Sequence, residues 1–228
     1  MKMTSACAAA AAILALTGAA SAVSAQEFDV AYNAALGTDY VYRGASQTDS
    51  KPAVSGGIDV TAGSFYVGTW ASNVKFGDGT DAEIDLYGGY RTEAAGYALD
   101  LGVVGYFYVG EPSGSDYEFV EFKAAASRAI GPATVGAAVY YSPDFYGLDD
   151  EATYVEVNAA YSPADKWTVS GAVGNQWLDV SDDYLNWHAG VAYALSPVLT
   201  ADLRYYDTDV KGSDLYDARV VASLKTVF

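Results

Sequence analysis

From Phe28 onward apolar and polar positions alternate with period two almost everywhere, and helical periodicity is nearly absent. In the first stretch Phe28, Val30, Tyr32, Ala34, Leu36, Thr38, Tyr40 and Tyr42 share one parity, while Asp29, Asn33, Asp39 and Arg43 share the other. One face is therefore apolar and aromatic and the other polar, the pattern of a strand between two different environments. Eleven further runs read the same way: 53–62, 65–74, 82–91, 97–109, 117–126, 133–141, 152–161, 167–177, 184–193, 198–207 and 215–228. In 65–74 and 152–161 aromatics fall on both parities, so the alternation alone leaves their facing open.

The connections alternate in length. Gly63–Ser64, Thr92–Gly96, Ala129–Pro132, Ser162–Lys166 and Leu195–Pro197 are short, whereas Gly44–Lys51, Lys75–Asp81, Gly110–Asp116, Ser142–Asp150, Leu178–Asp183 and Thr208–Asp214 are longer and mostly acidic. An even strand count with short turns at one end and longer loops at the other predicts an all-β chain, a transmembrane antiparallel up-and-down barrel of about 12 strands. Strands of this length suit a tilted bilayer crossing, for which about 9 to 11 residues suffice.

The segment before the alternation has a different pattern. Lys2 precedes an Ala, Ile and Leu run from Ala6 to Ala20, closed by Ala20-Ser21-Ala22 and Val23-Ser24-Ala25. This predicts a signal peptide at 1–25 with cleavage after Ala25, and a barrel domain over 26–228. The sole cysteine, Cys7, lies in that leader, so the exported chain is expected to hold together without disulfides.

Composition adds that the chain is 51% hydrophobic with 20 Tyr, 4 Trp and 23 Gly, far too apolar for disorder. Its formal net charge of -17 argues against nucleic acid as a partner, since phosphate binding relies on clustered Lys and Arg. A soluble β-sandwich would also alternate. Two features oppose it. Aromatics recur near strand ends on the apolar face, at Tyr40, Tyr42, Tyr90, Tyr97, Phe107, Tyr161, Trp167, Trp177, Tyr193 and Tyr205, like interfacial girdles. The last run also keeps parity to a terminal aromatic, Phe228, which resembles the sorting signal read by the barrel-insertion machinery. These features place the chain in the outer membrane of a Gram-negative cell, with outer-membrane lipid, lipopolysaccharide and that machinery as expected partners.

Thr38-Asp39-Tyr40-Val41-Tyr42-Arg43-Gly44, followed by Ser46-Gln47-Thr48-Asp49 and Lys51-Pro52-Ala53, resembles the first hairpin of the TorF family of porin-like proteobacterial outer-membrane proteins. The segments Phe65 to Val74 and Glu83 to Tyr90 are similar to the same family, and the resemblance runs through the chain after the leader. It implies a location and a shape rather than a solute, and no functional residue is carried over from it.

On the less apolar parity lie Asp29, Asn33, Asp59, Glu83, Asp85, Arg91, Asp100, Glu121, Lys123, Glu156, Asn158, Gln176, Asp202, Arg204, Asp217, Arg219, Ser223 and Lys225. Its charged members from Asp59 to Lys225 are the candidate pore lining. They line a polar channel for passive diffusion of small solutes or ions, of unknown identity, with mild cation preference because acids outnumber bases. The alternative is a structural or surface-interaction barrel whose lumen is filled by mutually neutralising charges.

Other chemistry does not assemble. Asp207-Thr208-Asp209-Val210-Lys211-Gly212 begins like a calcium loop, but Lys211 takes the fifth ligand position and Ala218 the twelfth. Loose bridging of divalent cations by Asp149, Asp150 and Glu151 stays open beside the simpler solvated acidic loop. His188, the only histidine, falls on the inward parity with Tyr184 and Asn186, away from membrane lipid, and Glu83 with Asp85 is more simply a charge-paired set than a catalytic dyad. No nucleophile elbow, zincin motif or phosphate loop occurs, so neither enzyme activity nor a cofactor or metal is expected.

Overall fold

The computed structural model describes residues 28–179 and 181–228; the expected leader and its cleavage site lie outside them. The described strands are β1 (Phe28–Gly37), β2 (Val41–Tyr42), β3 (Ala45–Ser46), β4 (Ala53–Ala62), β5 (Phe65–Asn73), β6 (Ala82–Ala94), β7 (Tyr97–Val109) and β8 (Phe119–Ile130). They continue as β9 (Ala133–Ser142), β10 (Ala152–Ala164), β11 (Trp167–Leu178), β12 (Tyr184–Ala194), β13 (Leu199–Thr208) and β14 (Arg219–Val227). All but β2 and β3 pair antiparallel with their neighbours in sequence, and β1 closes on β14 from Asn33↔Val227 to Gly37↔Ser223. The result is the expected closed twelve-stranded antiparallel barrel.

Closure leaves the barrel sheet without an unpaired edge among the described residues, which is what a β-structure in lipid requires. The seam is sealed at its lower end by Phe228, whose N–H donates to Tyr32 O at 3.0 Å while Tyr32 N–H donates to Phe228 O at 2.8 Å. The two rings stack at 5.9 Å between centroids.

The two faces are inverted relative to a water-soluble protein. Val67, Leu86, Leu101, Phe122, Val157, Leu203 and Val220 point outward and are exposed, whereas the largest fully buried side chains among the described residues are Arg204, Gln176, Glu83, Glu121, Thr48, Thr80, Thr208 and Ser142. An apolar exterior of this extent needs an apolar surrounding. The two undecided strands are settled by the same contrast. Tyr66 and Ser72 of β5 and Tyr154 of β10 are buried inside, and Phe65, Val67, Val157 and Tyr161 are exposed outside.

The structure departs from the sequence expectation at three loop-side ends. The first strand stops at Gly37 instead of running to Arg43, so Tyr40 and Tyr42 are not girdle residues. Thr38–Pro52, here L1, turns into the barrel, where Tyr40 and Tyr42 find hydroxyl partners on the inner wall. The eighth strand begins at Phe119, two residues beyond Tyr117, whose hydroxyl is held by Asp78 at 2.8 Å. The last strand begins at Arg219, because Asp214–Tyr216 forms a 3-10 turn capped at both outgoing carbonyls by the Arg219 guanidinium. Asp217 therefore sits exposed in the loop and does not face the lumen. At the opposite end β6, β8 and β10 run further than expected, to Ala94, Ile130 and Ala164, with Ala95-Gly96 as the tight turn after β6.

Candidate functional site: a hairpin across the lumen

L1 enters the barrel as a miniature hairpin in which Val41 pairs with Ser46 and Tyr42 with Ala45. Its two central residues, Arg43 (φ 45°) and Gly44 (φ 86°), both have positive φ, the requirement of the type I′ turn that matches strand twist. Gly44 is demanded twice over. Beyond its φ, a Cβ there would lie 2.3 Å from Thr208 Cγ2 and 3.0 Å from Asn186 Cβ, so the hairpin tip is seated directly on the β12–β13 wall.

Arg43 carries the tip to the other walls. Its Nη1 donates to Glu121 Oε1 at 2.7 Å and its Nη2 to Glu121 Oε2 at 2.8 Å, a bidentate pair. Nη1 also donates to Gln176 Oε1 at 2.9 Å. The guanidinium carbon lies 4.2 Å from the Tyr154 ring centroid, 4.7 Å from Tyr42 and 5.1 Å from Tyr140. Side-chain exposure is 6% for Arg43 and 1% for Glu121.

The stem is tied equally well. Tyr40 Oη donates to Glu83 at 2.7 Å, and its ring meets Trp70 edge-on at 5.2 Å. Burial, reinforced for Tyr40 by the Glu83 charge, pushes the Tyr40 and Tyr42 hydroxyls well above their ordinary range, so both remain donors. Asp39 accepts from Ser46 Oγ at 2.8 Å and Thr48 Oγ1 at 2.7 Å within L1, and from Arg219 Nη1 of β14 at 2.9 Å. L1 is thus fastened to β6, β8, β11 and β14 and packed on β12 and β13. Above it, Tyr106, Tyr108 and Phe119 form an aromatic cluster with Phe76, Phe145 and Tyr146 from the neighbouring long loops.

Space remains on both flanks. A cavity of about 300 Å³ lies against Asn33, Ser55, Trp70, Ser72, Ser223 and Lys225. Another of about 220 Å³ lies beneath the tip against Tyr140, Tyr154, Glu156, His188 and Tyr206.

Toward the short-turn end the inner wall carries paired charge. Lys123 Nζ and Arg91 Nε share Asp100, at 2.8 Å and 3.3 Å, and Tyr66 Oη donates to the same carboxylate at 2.7 Å. Arg204 grips Asp202 at 2.9 Å, donates to Ser170 at 3.0 Å, and lies 2.9 Å from His188 Nδ1, which therefore accepts. The sole histidine of the sequence is held in this arrangement by an arginine.

Of the sequence candidates, Asp59, Glu83, Asp85, Arg91, Asp100, Glu121, Lys123, Glu156, Asp202, Arg204 and Lys225 take the inner face of their strands; Arg219 stands at the loop-side rim and Asp217 outside it. Four of the inner carboxylates have no ion pair among the described residues. Asp59 is held by Asn33 and Tyr87, Glu83 by Tyr40, and Glu156 by Tyr154 and Asn158, while one Asp85 oxygen is buried with no partner among the described residues. Among the inner cations of the strands only Lys225 lacks a carboxylate of the described residues within ion-pair distance. Sequence reasoning missed Arg43, Tyr40, Tyr42 and Gln176 as a constellation. The legible signal was Arg43-Gly44 between two short alternating pairs, a hairpin-turn pattern inside what read as strand end and loop.

The family model described as "Bacterial protein of unknown function (Gcw_chp)" matches residues 20–228. No curated protein matches the chain. Among solved structures it is similar to the KdgM porin, at a TM-score of 0.60 and 7% identity over 87% of this chain and 98% of that one. It is also similar to the COG4313 outer membrane channel from Pseudomonas putida F1, at a TM-score of 0.54 and 10% identity over 90% of this chain and 96% of that one. At these identities the likeness concerns the fold, which is that of outer-membrane porins and channels.

Proposed function

The chain belongs to the Gcw_chp family of bacterial proteins, and we propose that it is an outer-membrane channel for passive diffusion of small hydrophilic solutes or ions, narrowed by the L1 hairpin. The observation that carries this reading is the polar lumen itself. A barrel with an apolar exterior encloses cavities on both sides of a hairpin whose polar groups face them. Solutes would pass the flanks of the hairpin, and the residues lining those flanks would set size and charge limits.

Asp59 and Glu156, inner carboxylates without an ion pair among the described residues, stand against the single unpaired ammonium of Lys225 and support a mild cation preference. The first-hairpin motif from Thr38 to Ala53 supports kinship with the TorF porin-like proteins. In this reading residues 1–25 are a cleaved leader, Phe228 takes part in recognition by the insertion machinery, and outer-membrane lipid and lipopolysaccharide surround the barrel. The lumen hydrogen bonds serve packing and conduction, with no catalytic step assigned to them.

One observation favours the competing reading of a closed structural barrel: the hairpin is fastened around most of the inner wall. Liposome swelling with neutral sugars of graded size separates the two. Entry of the smallest solutes with a sharp upper size limit is expected of the channel. Impermeability to all of them, with the barrel intact by heat-modifiable gel mobility, would assign the closed structural role.

A further inference from the structure

The outer face carries a feature that conduction does not use. The outward residues of β8 are Val120, Phe122, Ala124, Ala126, Arg128 and Ile130, and the two alanines form the floor of an apolar groove of about 470 Å³. Leu99 and Leu101 of β7 make one bank; Val139 of β9 and Val155 of β10 make the other, with Ala137 beside Ala126 in register. Alanines flanked by leucine and valine leave a dent that a bulkier strand would have filled.

The groove runs toward Arg128, two positions beyond Ala126 on the same face and so about 7 Å further along the strand. Arg128 is exposed, close to the Gly131-Pro132 turn, and forms no ion pair among the described residues. Its guanidinium lies 5.3 Å from the Tyr97 ring centroid, an aromatic support that orients it while leaving its N–H donors free. A cation at the level where short turns meet the membrane surface, with an apolar trough leading from it into the hydrocarbon zone, has the amphipathic order of a glycerophospholipid.

We propose that this groove is a specific phospholipid site, with the headgroup phosphate on Arg128 and an acyl chain lying over Ala126 and Ala124. The inference rests on the membrane reading above, though not on conduction. Arginine suits the phosphodiester because its planar fork can meet two phosphate oxygens, a stronger pairing than a neutral hydrogen bond. The alanines set the site's specificity for a flexible chain over a rigid side chain.

The test is native mass spectrometry of the full-length folded barrel in mild detergent, titrated with phosphatidylglycerol, with a diacylglycerol lacking the phosphate, or with phosphatidylglycerol and lipopolysaccharide in competition. Retention of one phosphatidylglycerol per barrel is expected, with diacylglycerol, Arg128→Gln and the groove-filling Ala126→Leu each lowering retention by about tenfold. Both variants change outward positions only, and heat-modifiable mobility checks that they fold. Equal retention by the wild type and both variants would overturn the proposal. So would retention of lipopolysaccharide instead, or a stable multimer that Ala126→Leu dissociates. A barrel that retains the lipid and conducts nothing overturns the channel reading and leaves this one standing.

Discussion

Replacing Arg43 by Ala removes the guanidinium that fixes the hairpin tip, and the structure sets the size of the effect. Glu121, 1% exposed, loses both oxygens' charged partner and keeps only the Tyr106 hydroxyl at 3.0 Å and a long contact to Tyr42 at 3.4 Å. Leaving one member of a buried pair uncompensated costs about 3 to 5 kcal/mol, and lumen water pulls this toward the lower figure. At about 1.4 kcal/mol per tenfold, the ratio of docked to released hairpin should fall by a factor on the order of 100 or more. The barrel itself should persist, because its twelve strand pairings do not involve Arg43. In planar bilayers Arg43→Ala should therefore show larger or more frequently open steps than the wild type, with unchanged heat-modifiable mobility. Glu121→Gln should behave alike, since it strands the guanidinium instead, and a double Arg43→Met, Glu121→Met variant should revert part of the way. Identical traces for the wild type and both single variants would refute the idea that this pair holds a constriction.

Gly44→Val places a branched side chain at φ 86° and against Thr208; it should expel the tip, and trypsin should then cleave after Arg43 in a folded barrel whose wild-type form resists. Replacing Asp59 by Asn together with Glu156 by Gln removes two inner carboxylates that have no ion pair among the described residues, so the reversal potential under a salt gradient should move toward zero. No movement would remove those side chains from the ion path. Deleting Phe228 takes away two seam hydrogen bonds and a ring stack with Tyr32; urea unfolding of the refolded barrel should lose roughly 1 to 3 kcal/mol, from about 0.5 to 1.5 kcal/mol per hydrogen bond.

The barrel was legible because each strand separates two environments, and period-two alternation records that separation residue by residue. Inner placement of Glu83, Asp100, Lys123 and Arg204 followed from parity alone; parity stayed undecided in the two strands where aromatics line both faces, and it misplaced Tyr40, Tyr42 and Asp217, which lie beyond the ends of the barrel strands. In β5 and β10 the inward Tyr66, Trp70 and Tyr154 carry hydroxyl or cross-barrel partners that a one-dimensional pattern does not show. The L1 hairpin was hidden for a related reason. Tyr40 and Tyr42 continue the outward parity of β1, and the change of course after Gly37 depends on contacts with Glu83 and Glu121, 43 and 79 residues further on. Tyr117 and Leu215-Tyr216 likewise extended strand patterns into loops that are held by Asp78 and Arg219. The charged candidates were found as single positions; the ion-pair partners that decide which of them can meet a solute come only from the closed circle of strands.

The most direct test of the central claim is single-channel recording from the unmodified refolded chain, Gln26 to Phe228, in a planar bilayer. Discrete, salt-dependent steps of small conductance are predicted, as suits passage along the flanks of a hairpin that crosses the lumen. A bilayer that stays silent while gel mobility shows a folded barrel would contradict the account and make the L1 hairpin a plug.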